Sequence, residues 1–190
     1  MKKSIFTILL AVAFCCGYAQ KDKKTETKTS TTKTEKKDDM KKDEKFAVDA
    51  AKSNLMEIEM GEIALKNATS ADVKELAQTL VNDHKKAGEG LKSITDKKGI
   101  KLPMTLDEKS KKECDELKMK TGADFDKEYS EMVVKGHKKT ITMFKKEAET
   151  GMDSEIKQWA TNTLPTCERH LEMAEDVSKK LKEAKIMSTK

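Results

Sequence analysis

Histidine occurs three times in this chain, and each copy falls on or beside an apolar helical stripe. Counting by threes and fours gives Val73, Leu76, Leu80, His84, Ala87, Leu91 and Ile94, one face of a helix of period 3.6. His84 therefore stands on an inward face where a Leu is expected. His170 falls on a second such stripe, between Cys167 and Ala174, and His137 lies one step off a third, which runs Phe125, Tyr129, Met132, Val133, Gly136, Thr140 and Phe144. Three imidazoles and a carboxylate meeting at one depth would suit zinc, iron or copper. Glu59 best matches the inward stripe of the first helix and is the expected carboxylate, whereas Glu57 and Glu62 point more to the side. Asp83 and Glu168 are the candidates for orienting the ligating rings from behind.

A plainer reading stands beside this one. A single histidine is more often a hydrogen-bonded boundary residue than a ligand, and taken one by one the residues favour that reading over a shared metal site. Glu59 could equally pair with a Lys. Asp83, Glu168 and Glu172 read most simply as solvated helix charges, and Met56, Met60, Met132, Met143 and Met173 as core or boundary fillers rather than a copper-thioether box. The Glu-x-x-His pattern of helix-borne di-iron sites is missing, because Val81, Val134 and Cys167 precede the three histidines by three positions. No nucleophile with its base, phosphate loop or nucleotide motif is visible, so an enzyme ranks behind a binding or structural protein.

The elements that must bring these residues together are helices. With 36% apolar and 38% charged residues and only two prolines, the chain suits helices with densely charged outer faces better than a sandwich or barrel. Periodicity predicts a first helix over about Asp43 to Asn67, with Val48, Ala51, Leu55, Ile58 or Glu59, and Ile63 inward. Thr69 and Ser70 mark a break and an N-cap, and a second helix follows over Ala71 to Lys98, ending at Gly99. Thr105-Leu106-Asp107-Glu108 reads as a capping box opening a short helix that ends at Thr121-Gly122. A third long helix runs from Ala123 to Gly151. A fourth starts at Asp153 or Ser154, with Pro165 inside it and a kink expected there.

Two helical pairs joined by a helical connector describe an all-α, ferritin-like four-helix bundle with one crossover. The third long helix then runs parallel to the second, and His84 and His137 each lie about 14 residues from a helix start, at one level; His170 arrives within about one turn of them.

Ahead of the bundle, Met1 to Ala19 has a basic start, an apolar run from Ile5 to Phe14 and a Gly17-Tyr18-Ala19 ending. That is a secretory signal peptide, and it predicts an exported protein of the periplasm or outer membrane. Phe14 before Cys15 and Ala13-Phe14-Cys15 before Cys16 disfavour lipoprotein anchoring at either cysteine. Residues 20–44 are almost wholly Lys, Thr, Glu, Asp and Ser and are expected to form a disordered tether to a bundle domain over 45–187. The formal charge of +5 sits in the signal and tether, because residues 46–190 carry 27 basic and 27 acidic side chains. A neutral bundle lacks the basic surplus that nucleic-acid binding needs. Cys114 and Cys167 are left after signal cleavage, and the sequence leaves open whether they form a disulfide or pack as free thiols.

Several stretches together resemble a known family: Asn54-Leu55-Met56-Glu57-Ile58-Glu59-Met60-Gly61, Asp83-His84, Lys98-Gly99-Ile100-Lys101-Leu102-Pro103, Phe125-Asp126-x-x-Tyr129, Met132-Val133 through His137, and Thr163-Leu164-Pro165-Thr166 through His170-Leu171. Over about Lys45 to Lys182 the chain resembles the DUF4142 family of bacterial exported domains of unknown function, labelled predicted outer membrane proteins and grouped with the ferritin-like superfamily. The resemblance implies an envelope-attached ferritin-like bundle and no established activity. It carries the recurring acid and histidines onto Glu59, His84, His137 and His170. Gly136 and Cys167 depart from the family pattern, which has an acid or Ala and a Leu there. Two functions follow as expectations. One is an exported protein that holds a metal ion at these four residues for storage, buffering or stress protection. The other is a metal-free structural or partner-binding envelope module on a long leash.

Overall fold

The computed structural model describes the backbone of residues 28–188 and the side chains of residues 40–187. Five helices and no strand occur among the described residues: α1 Lys28–Asn67, α2 Ala71–Lys98, α3 Glu108–Lys118, α4 Gly122–Thr150 and α5 Ser154–Ser188. The signal segment and residues 20–27 lie outside this range. α1 starts well before the expected Asp43, so residues 28–44 of the expected tether carry a helical backbone. Extending a packed helix into a run of Lys, Glu and Thr costs little once its first turn exists.

α1 pairs with α2 and α4 with α5, and these hairpins close into a bundle through α2 against α5 and α1 against α4. Two buried carboxylates fix the direction of each helix. Asp126, near the start of α4, accepts from Thr69 N at 3.0 Å, from Ser70 N at 2.8 Å and from the Thr69 hydroxyl. α4 thus begins at the end of the bundle where α2 begins. Asp43 on α1 accepts from Met152 N at 2.9 Å and from Asp153 N, and Lys98 at the end of α2 pairs with Asp153 at 2.8 Å. α5 thus begins where α2 ends. α2 and α4 are parallel, as expected, and α3 returns the chain along the bundle, packed on α1 and α4. The fold is the one-crossover, ferritin-like four-helix bundle.

Local signals set the ends of the elements. Gly99 takes φ of 69°, in the left-handed region, and Ile100 N bonds to Thr95 O at 3.0 Å, closing α2. α3 starts two residues later than the expected box: Asp107 is its N-cap, and its side chain accepts from Ser110 N at 2.8 Å. α5 continues through Pro165 as one helix.

The core has two parts. One, towards the α1–α2 turn, holds Met60, Leu76, Leu80, Phe125, Tyr129 and Val133; the other, towards the α4–α5 turn, holds Phe46, Leu91, Phe144 and Ile156. Phe46, Phe144 and Trp159 pack edge-on or tilted there, with ring centroids 5.1 to 6.1 Å apart. Cys114 belongs to the first part and Cys167 to the second, and both are free buried thiols, so the two are not joined by a disulfide. Burial pushes the Cys114 thiol up to about 11 and that of Cys167 up to about 12, which keeps both protonated.

Candidate metal centre

Between the two apolar clusters, each long helix turns one buried polar residue inward: Glu57 from α1, His84 from α2, His137 from α4 and His170 from α5. The helical period places them there. On α2 the run Leu76, Leu80, His84, Leu91 stays on one face, and on α4 the series Phe125, Tyr129, Val133, His137, Phe144 does the same. The three rings meet with centroids 5.6 Å apart for His84 and His137, 5.4 Å for His84 and His170, and 5.3 Å for His137 and His170. One nitrogen from each ring lies within 4.8 Å of the others, an arrangement that could hold a metal ion.

The contacts of the opposite nitrogens assign the protons. His137 Nδ1 stands 3.0 Å from Val133 O, an acceptor only, so Nδ1 carries the hydrogen and donates it. His170 Nε2 stands 2.9 Å from Asp83 Oδ2, so it donates to the carboxylate, which Arg169 Nη2 also contacts at 2.6 Å. His84 Nδ1 donates to Asn54 Oδ1 at 3.1 Å. The lone pairs left over are on His137 Nε2, His170 Nδ1 and His84 Nε2. The first two are 3.3 Å apart. With both hydrogens committed elsewhere, no proton lies between them. The same spacing suits two ligands of one ion, because bonds of about 2.0–2.1 Å at tetrahedral angles set their nitrogens about 3.3–3.4 Å apart.

Burial sets the charge of the centre. His84 is pushed down to about 3 by burial and by His137 and His170; His137 is pushed down to about 4 by burial and His170, against the Val133 carbonyl. His170 is lowered by burial too, although Asp83 opposes the shift. All three are neutral imidazoles at pH 7, the form that ligates. Burial raises Glu57 to about 8, so its carboxyl is largely protonated at neutral pH. Its Oε1 lies 3.5 Å from His137 Nδ1, a contact between neutral groups rather than an ion pair. Four buried side-chain polar atoms among the described residues have no partner: His84 Nε2, Glu57 Oε2, Tyr129 OH and Glu147 Oε1. The first two belong to this layer, and Tyr129, raised by burial and then by the Glu57 charge, is coupled to it.

The structure corrects two expectations about carboxylates. Glu59 is only half-buried and on a different face, where its charge acts on the Cys114 thiol; Glu57 is the inward acid of α1. The inward stripe of α1 is built on small residues, Ala47, Ala50, Ala51 and Ala64, and passes through Glu57 and Met60, whereas Val48, Leu55 and Ile58 of the larger aliphatic stripe are only half-buried. Glu168 orients no histidine, because it pairs with Lys145 at 2.9 Å near the surface. Asp83 does hold His170. Asn54 was missed, although it shares a face with Glu57 at a spacing of three. Two glycines give these side chains their room: a Cβ on Gly88 would lie 2.7 Å from Asn54 Nδ2, and one on Gly136 would lie 2.8 Å from Glu57 Oε1.

Comparison with known proteins places the chain. The family described as "Domain of unknown function (DUF4142)" matches residues 26–177. A comparison with curated proteins returns no match. Among solved structures, the crystal structure of a DUF305 fragment from Deinococcus radiodurans aligns with a TM-score of 0.66 at 11% identity, over 73% of this chain and 96% of that one. At that identity the likeness concerns the fold.

Proposed function

This chain belongs to the DUF4142 family, and on that footing we propose that it is an exported metal-binding protein whose ion sits on His84 Nε2, His137 Nε2 and His170 Nδ1. One observation carries the reading: in each ring the nitrogen facing away from the centre is held by Asn54, Val133 or Asp83, which leaves three neutral lone pairs converging in a buried space. A polar layer of this kind costs stability when left unsatisfied, and a cation satisfies all three nitrogens at once. Zinc, iron and copper all accept imidazole donors. Asp83, Asn54 and the Val133 carbonyl are the groups that orient the rings, and Glu57 is a neutral neighbour of His137. No described helix is long and apolar enough to cross a membrane. Export rests on the signal-like segment Met1 to Ala19, and storage, buffering or stress protection is the role that suits a closed bundle.

The test is metal analysis of tag-free protein exposed to Zn(II), beside a His84→Ala/His170→Ala variant of unchanged helicity. The wild type retains one ion per chain after desalting and the variant retains none. Equal, negligible metal in both would refute the reading.

A further inference from the structure

The chain has 39 lysine and arginine side chains, and only one of them, Arg169, is arginine. It stands next to His170. We infer that Arg169 is a positioning residue of the centre: it pins Asp83 against His170 and so keeps the His170 Nδ1 lone pair turned inward. This role rests on the ligand set proposed above and adds to it the group that holds Asp83 in place.

Two pairs of consecutive residues face each other across the seam between α2 and α5. The helices are antiparallel, and Asp83-His84 on one meets Arg169-His170 on the other where the two histidine ring centroids are 5.4 Å apart. Neighbouring residues on a helix point about 100° apart, so each histidine turns inward while the charged residue before it lies along the seam. Asp83 crosses to His170, and Arg169 reaches back to Asp83. Both contacts fall on one atom: Asp83 Oδ2 accepts from His170 Nε2 at 2.9 Å and from Arg169 Nη2 at 2.6 Å. A carboxylate oxygen has two lone pairs and serves both donors.

Exposure explains why Asp83 needs holding. His170 is 1% exposed, but the side chain of Asp83 is 31% exposed and that of Arg169 is 55% exposed. A carboxylate so placed is free to turn to water, or along its own helix toward Lys86 three residues on. Either turn removes the acceptor that fixes the tautomer of His170. The charge-assisted bond from Arg169 opposes both, because it holds Oδ2 on the α5 side of the seam. A lysine is a mobile point charge on a flexible stem, whereas the planar guanidinium loses less freedom per bond formed. The one arginine of a lysine-rich chain therefore falls where a surface acid has to be kept still.

The first readout needs no metal. Long-range ¹H–¹⁵N correlation on the full, metal-free chain labelled with ¹⁵N-histidine shows which ring nitrogen carries the proton. The wild type should hold His170 as Nε2–H, and Arg169→Gln should add a resolved Nδ1–H population. Lys145→Gln, which removes a comparably exposed pair with Glu168 on α5, should leave the ring unchanged. Zn(II) affinity by chelator competition should fall about three- to tenfold in Arg169→Gln, less than for loss of Asp83 itself. In an Asp83→Ala chain the same substitution should have no further effect. An unchanged His170 tautomer in Arg169→Gln overturns the role, as does an equal loss of affinity with and without Asp83. A wild type that retains no zinc refutes the ligand set, and the tautomer comparison then decides the role of Arg169 by itself.

Discussion

Among the described residues Asp83 makes the one charged contact to any of the three rings, and its effect on the centre is the first thing that can be measured. By accepting from His170 Nε2 it fixes the ring's tautomer and turns Nδ1 inward. Asp83→Ala should therefore weaken Zn(II) binding by about 10–100-fold, measured by chelator competition, and should also lower the stability of the metal-free protein by about 1–3 kcal/mol, because the buried His170 N–H loses its acceptor. Unchanged affinity would mean that His170 is oriented by packing alone. Glu147, far from the centre, gives a pH prediction. Burial first, then Asp43 and Asp153, raise its carboxyl to about 7 from an ordinary 4.5. A carboxyl that is harder to ionise in the fold contributes stability that is full below about 4.5 and is lost as pH rises through about 7. Glu147→Gln should flatten the fall in melting temperature between pH 5 and pH 8; a curve parallel to that of the wild type would contradict this. At this scale the sequence revealed the histidines, because a titratable ring on a Leu stripe stands out. It misdirected the choice of acid, because α1 has both a large aliphatic stripe and a small alanine stripe, and close approach to the neighbouring helices selected the second.

The helices owe their alignment partly to caps supplied from elsewhere in the chain. Ser70 occupies the N-cap position of α2 but makes no side-chain cap bond. Asp126 receives Thr69 N and Ser70 N instead, from 56 or 57 residues away. Removing it takes a buried carboxylate from two backbone N–H groups and a hydroxyl at the part-exposed α1–α2 turn, so Asp126→Ala should lower stability by about 1–2 kcal/mol in urea unfolding. Asp126→Asn should retain part of that loss, and a cost below about 0.5 kcal/mol for Ala would show that water replaces the carboxylate without penalty. Helix positions and the crossover were legible because period, glycine stops and connector length are local properties. The long-range caps were not, since nothing in the spacing of Asp126 or Asp43 names the turn it will meet. The extension of α1 back to Lys28 was hidden for another reason: composition reports missing apolar residues, and a helix already nucleated downstream does not need them.

For the whole molecule, the polar layer between two apolar clusters is a choice against maximal stability. A leucine at each of its positions would join the clusters into one core. An ion held there ties α2, α4 and α5 together at mid-height, and binding only to the folded state adds about 2.7 kcal/mol when free metal is 100 times Kd. The melting temperature should thus rise by several degrees with Zn(II) in the wild type and stay fixed in the His84→Ala/His170→Ala protein; equal shifts in both would locate the effect elsewhere. That four polar residues reach one level follows from the parallel run of α2 and α4, which the length of the α3 connector already implied.

Crystals grown with Zn(II) and measured at its absorption edge address the central claim most directly. A single strong anomalous peak should lie about 2.0–2.1 Å from each of His84 Nε2, His137 Nε2 and His170 Nδ1. A centre without that peak, or a zinc ion bound only at surface carboxylates, would contradict it.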